Sequence, residues 1–167
     1  MTKSLFYCTL HSPIGDLLLV GDGNALHRLD IRDGRRAVAL DPAWQRNDAA
    51  FSEVSTQLCE YFDAARREFD VELALDGNPF ELQVWEALRT IPYGTTTSYG
   101  AVAARIGRPA AARAVGLANG RNPIALIVPC HRVIGADGSL TGYGGGLERK
   151  RLLLDLEAGR LALAAAS

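Results

Sequence analysis

The chain has 167 residues, 18 Lys and Arg against 19 Asp and Glu, and a formal net charge of −1. With 48% hydrophobic and 22% charged residues it is composed like an ordinary globular protein, one domain or two small ones sharing an interface. No apolar run approaches the roughly 20 residues of a membrane span, and three cysteines do not suit a disulfide framework, so a reducing, cytoplasmic setting with no membrane contact is expected.

The near-neutral total conceals a division. Residues 1–77 carry 13 acidic and 8 basic side chains, a net −5, whereas residues 78–167 carry 6 and 10, a net +4. Nine of those ten cations are arginine, whose planar guanidinium suits phosphate oxygens. A nucleic-acid partner is therefore open for the second half, although a +4 charge is equally compatible with an ordinary solvated surface.

The first half reads as short strands. Leu5–Leu10, Asp16–Val20 and Ala25–Ile31 are apolar-rich runs separated by Ser12-Pro13-Ile14-Gly15 and Gly21-Asp22-Gly23-Asn24, signals of an antiparallel meander. Phe51, Val54, Leu58, Tyr61 and Phe62 recur at helical spacing, predicting an amphipathic helix over about Asn47–Arg67. Phe69–Leu75 alternates and is expected to form another strand. This half, a domain spanning 1–77, shows no chemistry of its own.

After Asp76-Gly77, Asn78-Pro79-Phe80-Glu81 combines an N-cap, a proline at the first helical position and a glutamate three residues after the cap. Val84, Trp85, Leu88 and Ile91 give that helix its buried face, and Pro92-Tyr93-Gly94 ends it. A short helix then opens at Thr97-Ser98-Tyr99 and runs to about Ile106. Gly107 breaks it, and Pro109 opens a third helix, Ala110–Ala118, stopped by Asn119-Gly120. Two short helices joined by a glycine-containing turn suit a helix-turn-helix, though helix pairs of this kind are common in any α-rich domain. The fold class is thus α/β in the α+β sense: a small N-terminal antiparallel sheet with a helix, then a mainly helical C-terminal domain, residues 78–167.

Ile124–Val128 is a continuous apolar run, expected to be a buried extended segment, and it ends at Pro129-Cys130-His131-Arg132. A thiol beside His and Arg is suited to nucleophilic work, because neighbouring positive charge lowers its pKa. Adjacent side chains on an extended segment point opposite ways, so a water between Cys130 and His131 is the expected proton route. A buried structural cysteine is the alternative; a metal site is disfavoured, since no C-x-x-C or H-x-x-x-H companion lies nearby. Cys8 and Cys59 lack such company and are expected to be small core residues. Thr141-Gly142-Tyr143-Gly144-Gly145-Gly146 is either a flexible linker or a loop bringing backbone N–H groups against a ligand, and it is no nucleotide-phosphate loop. The last helix is predicted over Leu147–Ala158 with Gly159 as its stop. Glu157 lies on its apolar stripe, where a carboxylate is costly unless paired; a histidine is one partner, and fraying of the helix end is the alternative.

Pro129-Cys130-His131-Arg132-Val133-Ile134-Gly135, the Gly142-Tyr143-Gly144-Gly145-Gly146 loop, and Arg113-Ala114-Val115-Gly116 followed by Asn122-Pro123 resemble the O6-alkylguanine-DNA alkyltransferases, the methylated-DNA–protein-cysteine methyltransferases. The resemblance covers essentially the whole C-terminal half. It implies single-turnover DNA repair, in which Cys130 irreversibly takes an alkyl group from guanine O6, and also from O4-alkylthymine, in double-stranded DNA. His131 would deprotonate the thiol through water, Glu157 would orient the imidazole, and Asn122 would pin the turn before the active-site segment. The second helix would enter the minor groove with the small Ala111 and Ala112 against it, while Arg113 fills the gap left by a flipped nucleotide. Tyr99 would crowd the target phosphate and bond the base edge. Gly144 would donate to O6 through its backbone, the carbonyls of Cys130 and Val133 would accept from the exocyclic amine, and Tyr143 would line the pocket.

No cofactor is implied. Some relatives hold zinc in the N-terminal domain, but Cys8, Cys59, His11 and His27 do not align to such a site, and no metal is expected. A monomer is expected, with clustering along DNA left open. Ala125 stands in a wall that is proline in some relatives, and Gly144 where others carry a more polar residue. A rival reading, a non-catalytic helix-turn-helix protein that recognises damage or regulates transcription, would leave Cys130 a packing role only.

Overall fold

The computed structural model describes residues 3–34 and 37–160. The turn signals of the first half produce β1 (Phe6–Leu10), β2 (Leu17–Gly21) and β3 (Leu26–Ile31), joined as antiparallel neighbours. A two-residue parallel strand, β4 (Gln45–Arg46), adds to β1 and gives the order β3-β2-β1-β4. Every residue of the central β2 is buried, as its unbroken Leu-Leu-Leu-Val run requires.

The first helix is shorter than its periodicity suggests. Asn47 caps a 3-10 turn over Asp48–Phe51, the helix proper, α1, covers Ser52–Phe62, and the left-handed Ala64 (φ 59°) ends it. The expected strand Phe69–Leu75 does not form a ladder. Phe69, Val71, Leu73 and Leu75 pack their alternate side chains on the core, but only Leu73 bridges to Leu26. The outer edge of β3 is shared: Leu26 serves the segment at Leu73, and Leu29 bridges to Ile124 of the second half.

The second half opens as its capping residues dictate. In α2 (Pro79–Arg89) the Asn78 side chain accepts from the Glu81 N–H, and the Glu81 carboxylate accepts from the Asn78 N–H. Thr97-Ser98 form a two-residue strand, β5, rather than a first helical turn, and pair in parallel with β6 (Val133–Ile134). The Ser98 hydroxyl caps α3 (Tyr99–Arg105). The helix after it, α4, covers Ala112–Gly120, two residues later than expected, because Arg108–Ala111 are used in a turn whose Gly107 has φ 80°. Trp85 of α2 donates its indole N–H to the Ala118 carbonyl and fixes α4 against α2. The last helix, α5, is Leu147–Glu157. Buried side chains of both halves form one continuous core, from Leu17 and Tyr61 to Val133 and Leu153.

Candidate active site

Cys130 sits differently from the expected strand end. Ile124 makes its single bridge to Leu29; Leu126 then turns the chain with φ 70°, and Val128 N–H returns to the Ile124 carbonyl. Pro123 and Pro129 bound the segment and cannot donate to a ladder. Asn122 holds the resulting loop, donating from Nδ2 to the Val128 carbonyl at 2.7 Å and accepting from the Ile124 N–H at 3.0 Å. Cys130-His131-Arg132 therefore form one buried 3-10 turn.

Behind the cysteine lies a buried ionic cluster. The Glu157 carboxylate accepts from Tyr61 Oη at 2.6 Å and from Arg132 at 2.8 Å (Nε) and 3.0 Å (Nη2), and His131 Nε2 lies 2.7 Å from its Oε2. Burial by itself would raise the Glu157 pKa; bonds and charges from His131 and Arg132 more than reverse this and hold it well below the usual carboxylate range. An anionic carboxylate can only accept, so the proton on His131 belongs on Nε2. Burial pushes the His131 pKa down, keeping the ring neutral, and Nδ1 is left buried with no hydrogen-bond partner among the described residues. The imidazole is therefore poised as a base at Nδ1.

The thiol is not activated by the cations beside it in sequence. Burial pushes the Cys130 pKa up, with Asn122 and Lys150 opposing that rise. Arg132 contributes little, because its guanidinium faces Glu157 and the Ile91 carbonyl. Cys130 rests as a protonated thiol that needs a base.

Two participants were hidden from sequence reasoning. Tyr61 comes from the half that showed no chemistry; its place in the helical apolar stripe marked it only as core. Lys150 is fully buried, donates to the carbonyls of Val133 and Thr141 at 2.6 Å each, and is pushed by burial down to about 8. It ties β6 to the glycine-rich loop. Its single signal was a lysine in the middle of an apolar helix face.

A cavity of about 300 Å³ opens over Cys130, lined by Asn119, Asn122, Ala125, Tyr143 and Gly144 from the second half and by Ile31, Gly34 and Val38 from the first. Tyr99 stands apart from it, its hydroxyl bonded to Thr141. Ala112 opens α4 and Ala111 precedes it; Arg113 is exposed there and forms no ion pair among the described residues. Cys59, expected in the core, is exposed, because the apolar stripe of α1 runs through Leu58 and Tyr61 instead. Cys8 is buried, and burial raises it to about 11. His11 pairs with Asp16 at 2.9 Å and His27 with Asp22 at 3.2 Å, and among the described residues no three His, Cys, Asp or Glu side chains gather as a metal site.

Two family models divide the chain. The ribonuclease-like domain of 6-O-methylguanine DNA methyltransferase matches residues 5–75, and its DNA binding domain matches residues 79–159. The chain belongs to the 6-O-methylguanine DNA methyltransferase family. It is 50% identical over 153 residues to the methylated-DNA–protein-cysteine methyltransferase of Methanosarcina acetivorans, covering 92% of this chain and 98% of that protein. The Mycobacterium tuberculosis protein of the same name is 55% identical over 159 residues, covering 93% and 94%. Among solved structures, the fold is similar to the M. tuberculosis OGT in complex with DNA, with TM-score 0.87 and 55% identity over 93% of this chain and 94% of that one. The M. tuberculosis O6-methylguanine methyltransferase gives TM-score 0.86 at 54% identity, with 94% of each chain covered. The helix pair α3 and α4 and the segment carrying Cys130 both lie within the residues matched by the DNA binding domain model.

Proposed function

We propose that this chain repairs double-stranded DNA by transferring an alkyl group from O6 of a flipped guanine, and from O4-alkylthymine, to Cys130, once per molecule. The observation that carries the reading is a buried thiol facing a cavity, backed by a neutral histidine whose free Nδ1 and anionic partner Glu157 make it a base. In the reaction, the thiol proton passes to His131 Nδ1 through a water. The sulfur attacks the alkyl carbon, an S–C bond forms as the C–O6 bond breaks, and the guanine anion takes up at N1, by exchange through water, the equivalent of the proton that His131 accepted and now releases. The product is a thioether with no carbonyl for water to attack, so the cysteine is not regenerated.

Arg113, exposed on α4, would occupy the stack when the nucleotide leaves it, and flipping costs a few kcal/mol. Ala111 and Ala112 allow close approach to the minor groove. Gly144 borders the cavity, and its N–H donates to no backbone carbonyl among the described residues, which leaves it for O6. Tyr143, buried beside Cys130, walls the base site. No cofactor or metal takes part, and the protein acts as a monomer in the cytoplasm. Among the described residues no helix is long and apolar enough to cross a membrane.

The test uses duplex DNA carrying O6-[methyl-labelled]guanine. One label per chain should appear on Cys130, and Cys130→Ala should bind the lesion duplex without accepting label. Repeated turnover, or undiminished labelling of Cys130→Ala, would refute the reading. Normal lesion binding with no adduct on the wild-type protein would favour the non-catalytic damage-recognition reading instead.

A further inference from the structure

The glycine-rich loop that walls the cavity is strung between two adjacent cations of α5. At its start Lys150 holds the Thr141 carbonyl, and near its end Arg149 holds the Gly145 carbonyl at 3.0 Å. Lys150 makes its other bond inside the second half, to the Val133 carbonyl. Arg149 turns instead to the first half. Its Nε donates to the Ile14 carbonyl at 2.6 Å, and its Nη2 lies 2.7 and 2.9 Å from the two carboxylate oxygens of Asp33. One guanidinium thus joins the turn before β2, the turn after β3 and the loop.

The loop needs such support. Four of the six residues Thr141–Gly146 are glycine, so little in its own sequence restricts its conformation. It also lies directly on the first half: a Cβ at Gly145 would stand 2.5 Å from Ile31 Cδ1, and one at Gly34 would stand 2.9 Å from the Gly144 carbonyl oxygen. Asp33 and Gly34 therefore meet the loop together, one through Arg149 and the other by close backbone approach.

We propose that Arg149 is a positioning residue for alkyl transfer: through the fork it shares with Ile14 and Asp33 it fixes the Tyr143-Gly144 wall of the cavity relative to Cys130. The proposal rests on the reading of the cavity as the alkylguanine site. Arg149 acts through the loop, since Tyr143 and Gly144 line the cavity and Arg149 does not. The hydrogen bonds that hold His131 and Glu157 do not pass through it, so the base and its carboxylate survive its loss while the wall shifts. Charge alone is not enough for this role. A lysine carries a single nitrogen and cannot serve three acceptors that lie in different directions.

The experiment measures two rate constants on each protein. One is the limiting single-turnover rate of transfer from duplex O6-methylguanine. The other is alkylation of Cys130 by iodoacetamide, read on the Cys130 peptide, which uses the same thiol with no base to place. Arg149→Met and Arg149→Lys should each lower the transfer rate by about ten- to a hundred-fold, the cost of a wall misplaced by roughly 1 Å. Iodoacetamide alkylation and affinity for undamaged duplex should be unchanged. Asp33→Ala, which leaves both carbonyl contacts in place, should show the same selective loss on a smaller scale. A merely structural role would slow both reactions in parallel, and that result would overturn the proposal, as would a wild-type transfer rate in Arg149→Met or Arg149→Lys. Rate constants do not depend on how much of a preparation is folded, so partial unfolding cannot imitate the split. A wild-type protein that reacts with iodoacetamide but accepts nothing from the lesion duplex would instead refute the alkyltransferase reading itself.

Discussion

Glu157→Gln removes one charge from a cluster closed to solvent, and its cost follows from the hydrogen bonds around it. The carboxylate accepts four bonds, from Tyr61, His131 and twice from Arg132. A glutamine offers one oxygen and one NH2. The least damaging orientation keeps the oxygen where three donors converge, at Oε2, and turns the NH2 toward Arg132 Nε, donor against donor. Arg132 is then a buried guanidinium without a counter-ion, and breaking a buried pair in this way costs about 3–5 kcal/mol. For a chain of this size that corresponds to a melting temperature lower by about 6–20 °C. The sign of the pH dependence is fixed as well. The Glu157 pKa is depressed in the folded state, so its contribution is complete above the unfolded value of about 4.3 and is lost as pH falls below it. His131 is depressed too, by burial, so the unfolded chain binds a proton that the folded chain refuses as pH drops below about 6.5. Wild-type stability should therefore decline from pH 7 to pH 5.5 through His131 and again below pH 4.3 through Glu157. Urea midpoints at pH 7, 5.5 and 4 measure this. A Glu157→Gln variant within 1 kcal/mol of wild type at pH 7 would mean that the cluster is solvated and the base assignment at Nδ1 has lost its foundation.

Tyr61→Phe deletes one donor to the same carboxylate and should cost about 1.5–3 kcal/mol by chemical denaturation, with slower alkyl transfer and unchanged affinity for undamaged duplex. Unchanged stability would show that the hydroxyl carries no part of the cluster. Arg113→Ala should reduce transfer from lesion duplex far more than transfer from free O6-alkylguanine; equal losses would argue against a stack-filling role. Gly34→Ala places a Cβ 2.9 Å from the Gly144 carbonyl, so one of the two backbones must move, at about 1–3 kcal/mol. Both the melting temperature and the transfer rate should fall, and a changed melting temperature with an unchanged rate would separate this contact from the cavity.

What was legible in the sequence is what is local. The capping box at Asn78–Glu81 specifies the start of α2 through two hydrogen bonds spanning three residues. Cys130 and His131 stand out because a thiol, an imidazole and a cation occupy adjacent positions, and Glu157 stands out because a carboxylate interrupts an apolar helix face. Tyr61 carried no such mark. Its partner lies 96 residues away, and a tyrosine at helical spacing is indistinguishable from core until the opposite wall is known. Arg132 was legible as a charge but not in its direction: it was read as an activator of the thiol, and the fold spends it on the carboxylate. The same limit applies to strands. Alternation at Phe69–Leu75 reported burial correctly, yet pairing depends on a partner edge, and the edge of β3 is divided between two segments.

The division of charge at residue 78 suggests one half for binding and one for support, but the contacts do not follow that line. Leu29 of β3 exchanges backbone hydrogen bonds with Pro123 and Ala125, at the start of the loop that delivers Cys130. Arg149 of α5 reaches back to Asp33 and the Ile14 carbonyl while also holding the Gly145 carbonyl, so the glycine-rich loop is anchored to the sheet domain. Gly34 lies so close to Gly144 that no side chain fits between them. Together with the Tyr61–Glu157 bond, these contacts hold the loop that delivers Cys130, the carboxylate beside His131 and one wall of the cavity. An acidic domain that would be repelled by a DNA backbone can do this from behind the site, and on the proposed function the arginine-bearing helix pair would be the face that meets phosphate. On the proposed function, residues 1–77 would then be part of the reaction centre, and the +4 of the second half would supply attraction to DNA without having to supply the chemistry alone.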